Sequence, residues 1–223
     1  AETPVAALVG YTNAGKSTLL NALTGAGVHA ADRLFDTLDP TTRTLHTQQL
    51  GDILLSDTVG FIRKLPHHLI DAFRSTLEEL VYADVLVHVI DAGDPEWRRQ
   101  YQVVEELVEQ LGAGQTPRIT VFNKVDRLRE DQLPRQSDAL YCSALRGLGL
   151  ENLVDRICRV LGEGMRDVHF LLPYAQAQVL DYLYRDANVK RADYAENGIE
   201  IEAVVDQRAY GRIKEYLPGE AAL

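Results

Sequence analysis

The sequence predicts an α/β fold: a phosphate-binding-loop domain over residues 1–162, with a mostly parallel sheet and helices on both faces, then a small α+β domain over 163–223. Three observations lead there. Over the first 160 or so residues, short apolar runs alternate with amphipathic stretches, and strands alternating with helices give a parallel sheet covered on both sides. The first apolar run leads directly into Gly10-Tyr11-Thr12-Asn13-Ala14-Gly15-Lys16-Ser17. Glycine, four residues, then Gly-Lys-Ser is a phosphate-cradling pattern when it lies between a strand and a helix. After Gly162-Glu163-Gly164 the long alternation gives way to a shorter set of strands and helices.

Along the chain, Val5 to Val9 reads as a buried strand and Lys16 to Leu23 as a helix stopped at Gly25. Thr44 to Leu50 alternates like a half-buried strand, and Ile53 to Leu55 reads as a buried one. Leu69, Ile70, Phe73, Leu77 and Leu80 recur at helical spacing. Val85 to Ile90 is a strand, and Asp94-Pro95 predicts the start of a helix bearing Trp97, Tyr101, Val104 and Leu111, with aspartate as cap and proline in the first position. Ile119 to Phe122 and Ala139 to Cys142 are further strands, and Leu153, Ile157, Val160 and Leu161 mark the last helix of the domain. Beyond the seam come a strand from Val168 to Leu172, a helix from Tyr174 to Tyr184, strands at Asn188 to Tyr194 and Ile199 to Val205, and a helix from Gln207 to Tyr216.

Composition excludes several classes. The chain has 223 residues, 46% hydrophobic and 25% charged, which is ordinary for a globular protein and unlike disordered or fibrous chains. No run approaches the ~20 apolar residues of a membrane span, and there is no signal-peptide pattern, so no membrane partner is expected. Cys142 and Cys158 are too few for a disulfide framework, and a reduced, cytoplasmic setting is the expectation. The net charge of −10 divides into 16 basic and 22 acidic residues up to position 162, and 7 and 11 beyond it. Neither part carries a broad basic patch for nucleic acid. The second part holds 7 of the 16 aromatic residues, six of them tyrosines; these are expected to pack in its core rather than to stack on bases. An apolar run that begins at Val5, with almost no lead-in, is expected of a piece of a longer protein, and the chain is expected to act as a monomer.

The chemistry sits in four loops. In the first, glycines let backbone N–H groups wrap phosphates, and the helix N-terminus adds partial positive charge. Lys16 is expected on the β- and γ-phosphates and Ser17 on Mg²⁺, with Thr18 beside it. In the second, Asp57-Thr58-Val59-Gly60 follows the Ile53–Leu55 strand: aspartate can hold the metal through a water, and Gly60 can offer its N–H to the γ-phosphate. In the third, Asn123-Lys124-Val125-Asp126 stands at the carboxyl edge of the sheet, where ligands bind in this class. The Asp126 carboxylate can accept from both the ring N–H and the exocyclic amine of guanine, whereas adenine presents an unprotonated nitrogen there. Leaving a buried polar group unpaired discriminates strongly, so the nucleotide is GTP or GDP rather than an adenine nucleotide. In the fourth, Ser143, Ala144 and Leu145 follow the Ala139–Cys142 strand and would line the guanine pocket with backbone.

Two longer stretches carry a family resemblance. Leu34-Phe35-Asp36-Thr37-Leu38-Asp39-Pro40-Thr41-Thr42-Arg43, followed by Asp57-Thr58-Val59-Gly60-Phe61-Ile62-Arg63-Lys64-Leu65-Pro66-His67, resembles the HflX family of ribosome-associated GTPases over residues 5–162. Leu172-Pro173-Tyr174 and the Gly198–Val205 strand resemble that family's small C-terminal domain. The resemblance implies GTP hydrolysis, a large-ribosomal-subunit partner, and the splitting or clearing of stalled ribosomes under stress. Family members usually carry an additional N-terminal domain and a helical linker.

Further expectations follow from this resemblance. Thr37, Thr41 and Thr42 are all candidates for the first-switch threonine that meets Mg²⁺ and the γ-phosphate, and the family's Phe-x-Thr-Leu-Asp-Pro pattern assigns the role to Thr37. Phe35, Asp36, Leu38 and Asp39 then lie around the nucleotide. Alanine is common in the family where Asp36 stands here, so this chain places an extra charge near the phosphates. Many small GTPases orient the attacking water with a glutamine after the Asp-x-x-Gly glycine; this chain has Phe61, which cannot. Slow turnover alone and stimulation by a partner are expected. His67 and His68 follow Pro66 and read as surface capping residues. Asn13 has two readings, turn geometry or, as in related GTPases lacking the glutamine, one ligand of a K⁺ ion.

Overall fold

A computed structural model describes residues 3–25, 41–57 and 80–219. Two compact units divide the chain, Pro4–Leu161 and Gly162–Leu223.

The larger unit is built on a six-stranded sheet. Its strands are β1 (Val5–Gly10), β2 (Thr41–Thr47), β3 (Gly51–Asp57), β4 (Val85–Asp91), β5 (Arg118–Asn123) and β6 (Leu140–Tyr141). They lie in the order β2-β3-β1-β4-β5-β6. Only β2 runs antiparallel to its neighbour; every other pairing is parallel, as the alternation of strands and helices predicts. The central strands are apolar on both faces because both faces are covered. Along β1, Ala6 and Leu8 join one cluster with Leu19, Leu20, Leu153 and Ile157, while Ala7 and Val9 join another with Leu86, Val104 and Val108. These contacts place α1 (Lys16–Thr24) and α3 (Leu150–Leu161) on one side of the sheet and α2 (Trp97–Gln110) on the other.

Local chemistry sets the ends of these elements. Gly25 closes α1 at φ 65°, a left-handed stop that glycine adopts without strain. Two of the boundaries that differ from the sequence reading have a clear local cause. β2 begins at Thr41 and ends at Thr47, because Thr47 turns the chain: its hydroxyl donates to Gly51 O at 2.7 Å and accepts from Leu50 N at 3.1 Å. The second helix begins at Trp97 instead of Pro95. Asp94 spends its side chain on a turn, accepting from Glu96 N at 2.9 Å and from Gln100 Nε2 at 2.8 Å, so the helix starts after it. Most of the helix predicted around Leu69 to Leu80 lies outside the described residues.

The smaller unit is a three-stranded antiparallel sheet, β7 (Arg166–Leu172), β8 (Asn188–Ala195) and β9 (Gly198–Val205), in the order β7-β9-β8. Alternate residues of β7 and β9, among them Phe170, Leu172, Ile199 and Ile201, pack with Leu180 and Leu183 of α4 (Gln178–Asp186) and with Ala209 and Ile213 of α5 (Gln207–Ile213). The two helices are shorter than their apolar spacing predicts, since Tyr174–Gln176 and Lys214–Tyr216 form separate tight turns. The tyrosines correct the core-packing expectation in part. Tyr182 is buried, but Tyr174, Tyr184 and Tyr194 are exposed, and Tyr174 stacks on Tyr194 with ring centroids 6.5 Å apart.

Candidate nucleotide site

The carboxyl ends of β1, β3, β4, β5 and β6 gather the described site residues. Gly10 ends β1 against β4, where an added Cβ would come within 2.4 Å of Val89 O. The chain then turns through Tyr11, Thr12 and Asn13, with Ala14 N donating to Tyr11 O at 3.2 Å. Asn13 and Gly15 both adopt positive φ, 66° and 94°. Gly15 also caps α1 without a side-chain bond, so the first-turn N–H groups meet no capping side chain at the end where the helix dipole favours an anion. Thr18 lies in that first turn.

Lys16, Ser17 and Asp57 meet beside this loop. Lys16 is only 7% exposed, and its ammonium donates to Gly10 O at a long 3.4 Å. Burial lowers its pKa, and the Asp57 charge opposes that shift. Ser17 Oγ donates to Asp57 Oδ2 at 2.9 Å, while Asp57 Oδ1 is buried with no hydrogen-bond partner among the described residues. Burial raises the Asp57 pKa, with Lys16 and the Ser17 bond pulling it back. A hydroxyl next to an orphaned buried carboxylate oxygen is the hard-oxygen donor set that magnesium takes, with waters and phosphate completing its shell. The residues present fit that ion.

The guanine-side loop is fastened onto the phosphate loop. Asn123, 2% exposed, donates from Nδ2 to Ala14 O at 3.0 Å. Its Oδ1 accepts from Ala144 N at 3.0 Å and from the Cys142 thiol at 3.5 Å. Burial pushes the Cys142 pKa up to about 12, so the thiol stays a donor. Lys124, at φ 66°, donates to Asn13 O at 2.5 Å. Asp126 accepts from Ser143 Oγ at 2.7 Å, and this bond holds its carboxyl below the usual range. Ser143 also accepts from Arg146 N at 3.1 Å and pairs with Leu148 through two backbone bonds. Leu145, on the resulting turn, is 71% exposed. A carboxylate held ionised at a sheet edge can receive two N–H groups of a purine.

The structure thus brings together Gly10 to Thr18, Asp57, Asn123, Lys124, Asp126 and Ser143 to Leu145. Phe35, Asp36, Thr37, Leu38, Asp39, Thr58, Val59, Gly60, Phe61, His67 and His68 lie outside the described residues. Thr41 and Thr42, the other first-switch candidates, sit on β2 opposite Asp57 and Ser56. Two residues at the site were not singled out from the sequence: Cys142, and Asp91, which ends β4 in register with Asn123. The signal for Asp91 was its place at the end of an apolar strand, one residue past the boundary read there.

A phosphate loop after β1 and a guanine-type loop after β5 on a mostly parallel sheet are the features of P-loop GTP-binding proteins. Comparison with known proteins narrows the class. The 50S ribosome-binding GTPase family matches residues 5–124. GTPase HflX of Caldanaerobacter subterraneus subsp. tengcongensis is 46% identical over 97% of this chain and 50% of its own length. GTPase HflX of Magnetococcus marinus is 44% identical over 93% of this chain and 50% of its own length. Among solved structures, a GTP-binding protein from Sulfolobus solfataricus in complex with GDP is similar with a TM-score of 0.56 and 31% identity, covering 72% of this chain and 53% of that one. The chain belongs to the HflX GTPases of the 50S ribosome-binding family. It spans about half the length of the curated relatives it matches.

Proposed function

We propose that this chain binds GTP, hydrolyses it to GDP with Mg²⁺, and uses the nucleotide state to switch its hold on the large ribosomal subunit in the cytoplasm, where it splits or rescues ribosomes under stress. The observation that carries the nucleotide reading is the joining of the two loops through Asn123, whose amide holds Ala14 O and Ala144 N at 3.0 Å each. The family description, 50S ribosome-binding GTPase, supports the partner.

Phosphoryl transfer asks a protein mainly for positioning and charge stabilisation. Lys16 and the loop N–H groups hold the β- and γ-phosphates. Ser17 and Thr37 would hold Mg²⁺, and Asp57 would support the ion through a water. When bound, the ion neutralises charge that builds on the phosphate oxygens during transfer. Gly60 meets the γ-phosphate, so the two switch segments are ordered by GTP and released on hydrolysis. Asp126 reads guanine. With Phe61 where a glutamine often stands, the chain lacks a side chain to orient water, and turnover is slow until a partner assists. Asn13 is the residue that would help hold a K⁺ ion near the phosphates.

The test is GTP turnover in potassium and sodium buffers, with and without purified large ribosomal subunits. Stimulation by the subunit is expected, larger in potassium. GTP that binds tightly but is not hydrolysed in either case would leave a nucleotide-dependent binding switch without catalysis. Failure to bind GTP at all would overturn the reading.

A further inference from the structure

Asp91 takes no part in the roles assigned above, yet it touches the centre of the site. β4 and β5 pair in register up to Asp91 and Asn123, and Ala92 N continues the ladder to Asn123 O at 2.9 Å. The carboxylate therefore stands beside the guanine-side loop at the sheet edge. Each of its oxygens has a distinct partner: Oδ1 accepts from Gly93 N at 2.9 Å, and Oδ2 lies 3.3 Å from Lys124 Nζ. The first bond fixes the carboxylate to its own turn. The second holds a charge on the neighbouring loop.

Lys124 makes that second contact consequential. Its backbone is left-handed at φ 66°, a conformation that costs a residue with a Cβ and persists only where surroundings enforce it. Its ammonium reaches Asn13 O at 2.5 Å, and Asn13 is also left-handed at φ 66°. On the way its stem passes Gly15, where an added Cβ would lie 3.7 Å from Lys124 Cε. One lysine thus crosses from the guanine-side loop to the phosphate loop, and Asp91 supplies the opposite charge at its far end. The pair is partly screened from water, with side chains 22% and 24% exposed, so it is held more firmly than a surface ion pair.

We infer that Asp91 is a positioning residue of the nucleotide site: by holding the Lys124 ammonium against Asn13 O, it locks the guanine-side and phosphate-side loops together and lengthens the residence of the bound nucleotide. This rests on the guanine-nucleotide reading above. Asp91 acts through Lys124. Loss of its charge frees the ammonium, relaxes two left-handed residues, and lets the loops part more often.

The experiment is release of fluorescent GDP by stopped flow from the wild-type chain, Asp91→Asn, Lys124→Met and the double variant. Asp91→Asn keeps an oxygen for Gly93 N and removes only the charge. GDP is expected to leave Asp91→Asn about tenfold faster, the size expected when one charge-assisted hydrogen bond is lost. Adding Asp91→Asn to Lys124→Met should then change the rate by less than about twofold, since the two act as one unit. Thermal unfolding of the nucleotide-free variants, read on the same samples, should stay near that of the wild type. Asp91→Ser replaces Asp91→Asn if the latter does not fold. An unchanged release rate, or a full independent increment on top of Lys124→Met, overturns the proposal. A wild-type chain that never binds GDP overturns the guanine-nucleotide reading instead, which keeps the two failures apart.

Discussion

Asn123 Nδ2 donates to Ala14 O, so a residue of the guanine-side loop closes the phosphate loop from behind. The same side chain receives Ala144 N, so three loops, the first 109 residues before Asn123 and the last 21 after it, converge on one buried amide. Asn123→Ala leaves Ala14 O and Ala144 N buried without these partners, and each lost partner costs about 1–3 kcal/mol. Urea unfolding of the nucleotide-free protein should therefore show a loss of at least about 2 kcal/mol. The rise in melting temperature on adding GDP should vanish with it. An unchanged nucleotide response would show that the loops hold their geometry without this amide.

Gly15 reaches the same contact from the other side. Its φ is 94°, and an added Cβ would lie 2.3 Å from Asn123 Nδ2. Gly15→Ala carries the left-handed penalty of about 1–2 kcal/mol and also pushes Asn123 off Ala14 O. Nucleotide affinity measured by titration should fall by at least about a hundredfold, equivalent to about 2.7 kcal/mol. Retained affinity would show that the loop yields around the methyl group.

Asp126 is exposed, and Ser143 aims it by donating to its carboxylate at 2.7 Å. If it reads guanine, GTP should bind much more tightly than the inosine nucleotide, which lacks the exocyclic amine. Asp126→Asn should collapse that preference while leaving phosphate contacts intact. Ser143→Ala should narrow it less, by loosening the carboxylate. Since the Ser143 bond holds the carboxyl below its usual range, guanine selectivity on account of Asp126 should be flat from about pH 5 upward. Equal affinities of the wild type for both nucleotides would remove Asp126 from base recognition.

The phosphate loop and the guanine-side loop were legible in the sequence because their chemistry is local. Gly10 to Ser17 and Asn123 to Asp126 are short runs whose residue types follow from what each must hold, and the strands before them are largely apolar. Asp91 and Cys142 were not legible. Their roles arise only when β4, β5 and β6 align, which is a matter of register between segments distant in sequence. The late start of α2 had a similar origin: Asp94 next to a proline fits a helix cap, but it also fits a turn, and Gln100 favours the turn by donating to its free oxygen. The exposure of the smaller unit's tyrosines is not legible in the sequence, because tyrosine content says nothing of which strand end each ring occupies. Tyr194 lies at the end of edge strand β8, where only one neighbour can cover it.

Asp57 carries a pH dependence of opposite sign to that of an ordinary paired carboxylate. Its pKa is raised by burial, so the folded, nucleotide-free protein keeps the proton at pH values where the unfolded chain has lost it. On this account alone, stability is highest at low pH and falls as pH rises through the folded value. Magnesium needs the ionised form, so the benefit of Mg²⁺ to GTP affinity should fade on acidification at a pH above the ordinary carboxylate value of 3.8. Titrating GTP against Mg²⁺ across pH measures this. Asp57→Asn should weaken the magnesium dependence and flatten its pH profile; a profile identical to the wild type would place the ion elsewhere.

His88 is expected to set the acid limit of the larger unit. It is 1% exposed within β4, its Nδ1 lies 3.1 Å from Glu105 Oε1, and its ring stacks on Tyr101 at 4.9 Å. Glu105 in turn meets Arg118 Nε at 3.1 Å. Burial lowers the His88 pKa despite the pull of Glu105. The folded-state value is thus below the ordinary 6.5, so the stability linked to this group is complete above that pH. As pH falls below it, the unfolded chain takes a proton that the folded chain refuses. Unfolding free energy should then drop with a slope approaching about 1.4 kcal/mol per pH unit until the folded value is reached. Glu105, whose own pKa is lowered from 4.5, adds its loss only at lower pH. Urea unfolding of the wild type and His88→Gln between about pH 7 and pH 5 separates the two groups: the wild type should lose stability across that window and His88→Gln should lose much less. Parallel slopes would assign the acid sensitivity to another group.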